Sequence, residues 1–258
     1  MRSEGKYMSK KIVFRIIAGV VAIVLIGMVL FVTNVFVGNP ISKTFAKEKA
    51  IIYISENYNQ LNLEIENIGY NFKDGNYMVL VQSNTSKDTH FSLYYRNGKI
   101  HSTTYDIDVL SGQNTYRRLA EEYKTHLTPI LERAIGEDFR AVGLYPQKDT
   151  MFTTNKLPLD VAFDKSLIQD GELSLSCNYK KADSKYFADI LVKAYSALSA
   201  EDYAFKTFSL QGENQGIMVQ ISGITAEQIK SGNLDQLIEQ AKSTGESNGI
   251  RVFIKGDK

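Results

Sequence analysis

The 258-residue chain has no tryptophan, a single cysteine and three histidines. One cysteine, Cys177, excludes any disulfide within the chain. Disulfide-free exported domains fit a bacterial surface better than an animal extracellular space, where small domains are often stapled. Without tryptophan, a carbohydrate-stacking platform would have to be built from tyrosine. There is no Gly-x-Gly-x-x-Gly, Walker loop, His-Glu-x-x-His or Cys-x-x-Cys. The chain therefore carries none of the short motifs that mark dinucleotide, phosphate, zinc-peptidase or redox chemistry. No cofactor and no metal are expected. Internal repeats and low-complexity stretches are also missing.

What is present is a long apolar run. Residues 16–37 contain no charged side chain. At about 1.5 Å per helical residue the run reaches roughly 33 Å, enough to cross a bilayer core. It exceeds the apolar region of a secretory signal, and no Ala-x-Ala-like site follows, so an uncleaved anchor is expected. Arg2, Lys6, Lys10, Lys11 and Arg15 precede the run against Glu4 alone. Lys43, Lys47 and Lys49 follow it, offset by Glu48. This bias predicts a cytoplasmic tail of residues 1–15 and a body outside the membrane. Five of the 30 Lys and Arg and one of the 29 Asp and Glu lie before the run, so the body has a formal charge of −3. That balance offers no electrostatic reason to bind nucleic acid. The expected partners are the bilayer through residues 16–37 and a protein of the cell envelope.

The body reads as α+β. Asn39-Pro40 resembles an N-cap with proline at the first helical position. Ile41, Phe45, Ile51, Ile52, Ile54 and Tyr58 would keep one face of that helix apolar. Leu61, Leu63 and Ile65 alternate, then Ile68, Tyr70 and Phe72 alternate in a shifted phase, which marks a β-bulge. Asp74-Gly75 turns into residues 77–81, apolar on both faces and hence a central strand. Asn97-Gly98 is a hairpin signal that would set Arg96 against Lys99, Tyr94 against His101 and His90 against Tyr105. The return strand is expected to continue through Tyr105, Ile107 and Val109. Tyr116, Leu119, Tyr123, Leu127, Ile130, Leu131 and Ile135 make an amphipathic helix, with Pro129 kinking it and Gly136 ending it. Residues 39–136 are thus expected to form an α-β-β-β-α domain with an antiparallel sheet. Residues 137–258 form the second domain. From Leu173 onward it reads β-α-β-β-α-β, the order of a ferredoxin-like unit. Thr225 to Gln228 is a capping box, and Gly232 breaks the helix that follows.

The candidate site residues are few. Asp106 and Asp108, on one face of a strand, would lie roughly 6–7 Å apart, within reach of acid/base or metal chemistry. The plainer reading is a solvated strand face, and it carries most weight. His90 and His101 fall on the polar face of the hairpin, too far apart to share a zinc ion. Cys177 lies on the apolar side of its strand, where a thiol is an inert small hydrophobe. Asn114, Arg117 and Arg118 open the long helix, a place that can receive an anion, though a capped helix with solvated cations is the plainer account. These residues support a binding, regulatory or structural module more than an enzyme. The alternative is an envelope hydrolase using Asp106, Asp108 and His90.

Several segments carry a resemblance. They are Gly38-Asn39-Pro40-Ile41-Ser42-Lys43 after the anchor, Gly69-Tyr70-Asn71-Phe72-Lys73-Asp74-Gly75, and Asp88-Thr89-His90-Phe91. The longest is Val109-Leu110-Ser111-Gly112-Gln113-Asn114-Thr115-Tyr116-Arg117-Arg118-Leu119. The chain resembles the YfjL-like proteins, uncharacterised membrane-anchored proteins of Bacillus and related Gram-positive bacteria. The resemblance is closest over the anchor and first domain. It implies a two-part exported region and a Gram-positive source, and it transfers no catalytic residue.

Overall fold

The computed structural model describes residues 10–146, 157–179 and 183–256. Arg2 and Lys6, which contribute to the predicted charge bias, lie outside the described residues. The chain divides into two compact units, Met1–Val109 and Leu110–Lys258.

The first unit opens with helix α1 (Lys10–Val37). Residues 11–37 are all exposed. Among the described residues, this stretch supplies the apolar length needed to cross a membrane. Gly38 takes a positive φ of +81°, and helix α2 (Pro40–Asn57) begins at once. The Asn39 side chain caps it by accepting from the Ile41 amide at 2.8 Å, as the Asn-Pro pair predicts. Strands β1 (Leu63–Asn71), β2 (Asn76–Ser83), β3 (His90–Arg96) and β4 (Lys99–Thr103) form an antiparallel meander in sequential order. The bulge in β1 falls at Glu66, where the register slips between Ile65 and Asn67.

The helix face turned to this sheet is not the one that apolar spacing suggests. Ala46 and Ala50 are fully buried, while Ile41, Phe45, Ile51 and Ile52 are exposed. Small residues let α2 approach the ring-rich face of Tyr77, Val79, Val81, Phe91, Leu93 and Tyr95. Strand β2 is central, but only one of its faces is buried, since Met78 is exposed.

The second unit begins with α3 (Gln113–Ile135), which runs through Pro129 without a break and ends at Gly136. This helix was expected to complete the first domain, with the boundary at residue 136. Its buried stripe of Leu119, Tyr123, Leu127 and Leu131 belongs instead to the core of the second unit. The six-stranded sheet has the order β5-β6-β7-β8-β10-β9, with β5 (Phe139–Tyr145), β6 (Glu172–Asn178), β7 (Thr207–Asn214), β8 (Ile217–Thr225), β9 (Glu246–Ser247) and β10 (Ile250–Lys255). Helix α4 (Ser184–Ala200) links β6 to β7, which lie side by side and parallel. A ferredoxin-like unit would insert another strand between them, so that expected topology is corrected to an adjacent βαβ crossover followed by antiparallel strands. The capping box at Thr225 and Gln228 starts α5 (Ala226–Lys230), and α6 (Leu234–Thr244) follows the break at Gly232.

Tyr123 ties the segment between β5 and β6 to α3. It is fully buried, donates to the Asp164 carbonyl at 2.9 Å and accepts from the Ile168 amide at 3.3 Å. The Phe163 ring stands edge-on to it at 4.8 Å. Tyr123→Phe keeps the shape and loses both bonds. We expect a loss of about 1–3 kcal/mol, read as a lower midpoint in chemical denaturation of the detergent-solubilised protein. An unchanged midpoint would show that these bonds contribute nothing net.

Candidate functional site

The residues singled out for chemistry do not assemble as expected. Strand β4 stops at Thr103. Thr104 makes a last backbone bond to Ser92, and Asp106–Leu110 then form a single π-helical turn. Asp106 and Asp108 are therefore not partners on one strand face, because side chains two apart on a helical turn point to different sides. Tyr105 does not face His90. Its ring packs on Tyr58 at 4.9 Å and on Phe91 at 5.0 Å. His90 sits half-buried at the start of β3, opposite Gln82 of β2.

The β3–β4 hairpin turns at Asn97-Gly98, both with positive φ, and Arg96 pairs with Lys99 as expected. The register then slips: Tyr95 pairs with Ile100 and Tyr94 with Ser102, which leaves His101 as the bulged residue. The expected pairing of Tyr94 with His101 is thereby corrected. His101 turns to Asn76, with Nε2 at 3.2 Å from its Oδ1. Among the described residues no group of three His, Cys, Asp or Glu side chains could hold a metal.

At the start of α3, Gly112 caps with a positive φ of 80° and no side-chain bond. Asn114 is buried. Arg118 is committed: its guanidinium donates to Glu122 Oε1 at 2.8 Å and to the Val161 carbonyl at 2.8 Å. Tyr116 packs against the core, and burial pushes its hydroxyl pKa up, with Tyr123 adding to the effect. Arg118 thus helps to hold the segment around Val161 and is not the solvated cation of the plainer account. Arg117 lies beside it, one residue along the same turn.

Cys177 is 1 % exposed on β6. Burial, followed by the Asp138 carboxylate, pushes its thiol pKa up to about 12. A thiol is reactive only as thiolate, so it is inert at neutral pH. Iodoacetamide at pH 8 should leave the native thiol unmodified while labelling the denatured chain. Native labelling should rise only toward pH 12, whereas denatured labelling rises through about pH 9. Rapid native alkylation at pH 8 would contradict the burial.

One hollow of the first unit was not anticipated. It measures about 410 Å³ and lies where α1 meets α2. Asn34, Gly38, Asn39 and Ser42 line one side, with Tyr70, Tyr77, Tyr95 and the Arg96-Asn97-Gly98 turn opposite. Its floor is clamped. Tyr77 Oη accepts from the Asn39 amide at 2.5 Å and donates to the Asn39 carbonyl at 2.9 Å. A Cβ on Gly38 would lie 2.7 Å from Tyr70 Cγ and 2.8 Å from Tyr77 Oη. The Asn39-Pro40 cap was legible, but no local pattern points to a tyrosine 38 residues later. Tyr77→Phe should speed amide exchange at Asn39 roughly tenfold, the equivalent of one lost hydrogen bond. An unchanged rate would show that the clamp is not formed in solution.

A YfjL-like N-terminal domain model matches residues 13–107, and a YfjL-like C-terminal domain model matches residues 122–239. The chain belongs to the YfjL-like family. The two matches fall on either side of the structural division near residue 109. The chain is also 25% identical over 167 residues to "Uncharacterized protein YfjL" of Bacillus subtilis strain 168, which covers 65% of this chain and 68% of that protein. No solved structure matches.

Proposed function

We propose that the chain is a single-pass membrane protein of a Gram-positive cell envelope. Its N-terminus is cytoplasmic, and its two α+β units work outside as a non-enzymatic binding, regulatory or structural module. The carrying observation is α1, a helix with an uncharged run of residues 16–37 whose surface the body leaves uncovered. An apolar helix of this length without a protein partner is at home in lipid. The excess of cations before the run supports the orientation. Asp106 and Asp108 on different sides of a π-helical turn speak against a carboxylate pair at work on one substrate. The bilayer is one partner in this reading, and a protein of the cell envelope is the second.

Two measurements test the reading. Alkaline carbonate should leave the full chain in the membrane pellet, and its release to the supernatant would overturn the span. Protease added to intact cells freed of their wall should remove a C-terminal tag. A tag that stays protected while a known surface protein is cut would overturn the orientation.

A further inference from the structure

We propose that the two hairpin tips of the first unit bind the phosphates of anionic phospholipid headgroups beside the point where α1 leaves the bilayer. The inference rests on the reading of α1 as a membrane span. The apolar run ends at Val37, and Phe36 in its last turn packs against Phe72 with ring centroids 5.7 Å apart and the rings tilted by 44°. Phe72 lies in the turn between β1 and β2 and is half-exposed, as is Phe36. A ring in contact with the last turn of a span sits at the level of the lipid interface, where aromatic side chains are favoured.

The second tip lies at the same level. Arg96, Asn97 and Gly98 line the 410 Å³ hollow together with Asn34 and Gly38. Both turns therefore border the end of α1. Their charge is positive on balance, with three cations against one acid. Lys73, Arg96 and Lys99 are exposed, and among the described residues none is held in an ion pair. The one acid, Asp74, is exposed but engaged by its own turn, accepting from Asn71 Nδ2 at 3.1 Å and from the Asn76 amide at 3.0 Å. An exposed guanidinium offers a fork that matches two phosphate oxygens, and lysines beside it add point charge. The hollow gives such a headgroup a place to sit that is lined by Asn34, Asn39, Ser42 and Asn97 as well as by Tyr70, Tyr77 and Tyr95.

The test uses the full chain in nanodiscs of phosphatidylcholine alone or with phosphatidylglycerol. Amide exchange is followed at residues 71–76 and 96–99, with residues 79–82 of β2 as a control for the fold. Phosphatidylglycerol should slow exchange at both tips several-fold and leave β2 unchanged. The triple variant Lys73→Gln, Arg96→Gln, Lys99→Gln should abolish that difference, since three interfacial cations together account for roughly a hundredfold in anionic-lipid preference. Equal exchange in the two lipid mixtures, or a variant that keeps the difference, would overturn the proposal. Inorganic phosphate added to phosphatidylcholine discs should have no effect, and equal protection by it would overturn the lipid assignment. Carbonate extraction of the same protein from vesicles separates the two readings. A chain that stays in the membrane without lipid-dependent protection refutes the headgroup site alone, whereas a chain that is released refutes the span.

Discussion

The first unit depends on how Asn39 is held. A helix that leaves a bilayer and continues through one glycine would ordinarily be a swivel, because glycine visits many backbone conformations at little steric cost. Here Tyr77 occupies both backbone groups of Asn39, and the Asn39 side chain caps α2. Three polar groups of one residue are thus spent on fixing the direction in which α2 starts. Gly38 allows it, since its φ of +81° and its contact with the Tyr70 ring leave no room for a side chain. The apolar helix and the sheet are consequently joined through Tyr77, a buried residue of the central strand.

That constraint explains the composition of α2. A helix pinned at its first residue and laid across an aromatic sheet face must come close to it or leave a gap. Ala46 and Ala50 provide the close approach, and Tyr53, Ile54 and Tyr58 fill the space toward the far end. Apolar periodicity reports which residues could be buried. It cannot distinguish a stripe of large side chains from a stripe of alanines that lets backbones meet. Ile41, Phe45 and Ile52 were the obvious core choice by spacing, and the structure turns them outward.

Features set by neighbours in sequence were legible. The Asn39-Pro40 cap, the bulge in β1, the Asn97-Gly98 turn, the Thr225 capping box and the breaks at Gly136 and Gly232 are each decided by a few adjacent residues. Features set by distant partners were not. Asp-Ile-Asp-Val alternates like a strand, but it becomes a π-helical turn once β4 has made its last bond to β3. Strand β5 was hidden because its register slips between Phe139 and Ala141, which leaves only Val142 and Leu144 as alternating buried positions. The order of the second sheet could not be read at all. The same β-α-β-β-α-β succession serves a ferredoxin-like sheet and the observed one, and the pairings of β6 with β7 and of β10 with β8 separate them. The stripe of α3 likewise fits either core, and no local signal says which.

The same division applies to the candidate site. Asp106, Asp108, His90 and Arg118 drew attention as residue types at suggestive spacings, and each is spent on local structure or set apart. The hollow at the end of α1 drew none, because its lining comes from four separated stretches of chain that meet only when the meander forms. Its exposed position suits its proposed role. Contacts of single cations with headgroups are weak in water and screened by salt. Once α1 holds the tips at the lipid surface, those contacts are intramolecular in effect and need no affinity of their own. On this reading the cations would not attach the protein, which α1 does alone. They would fix how the sheet stands on the membrane, and with it which face is presented to whatever lies beyond.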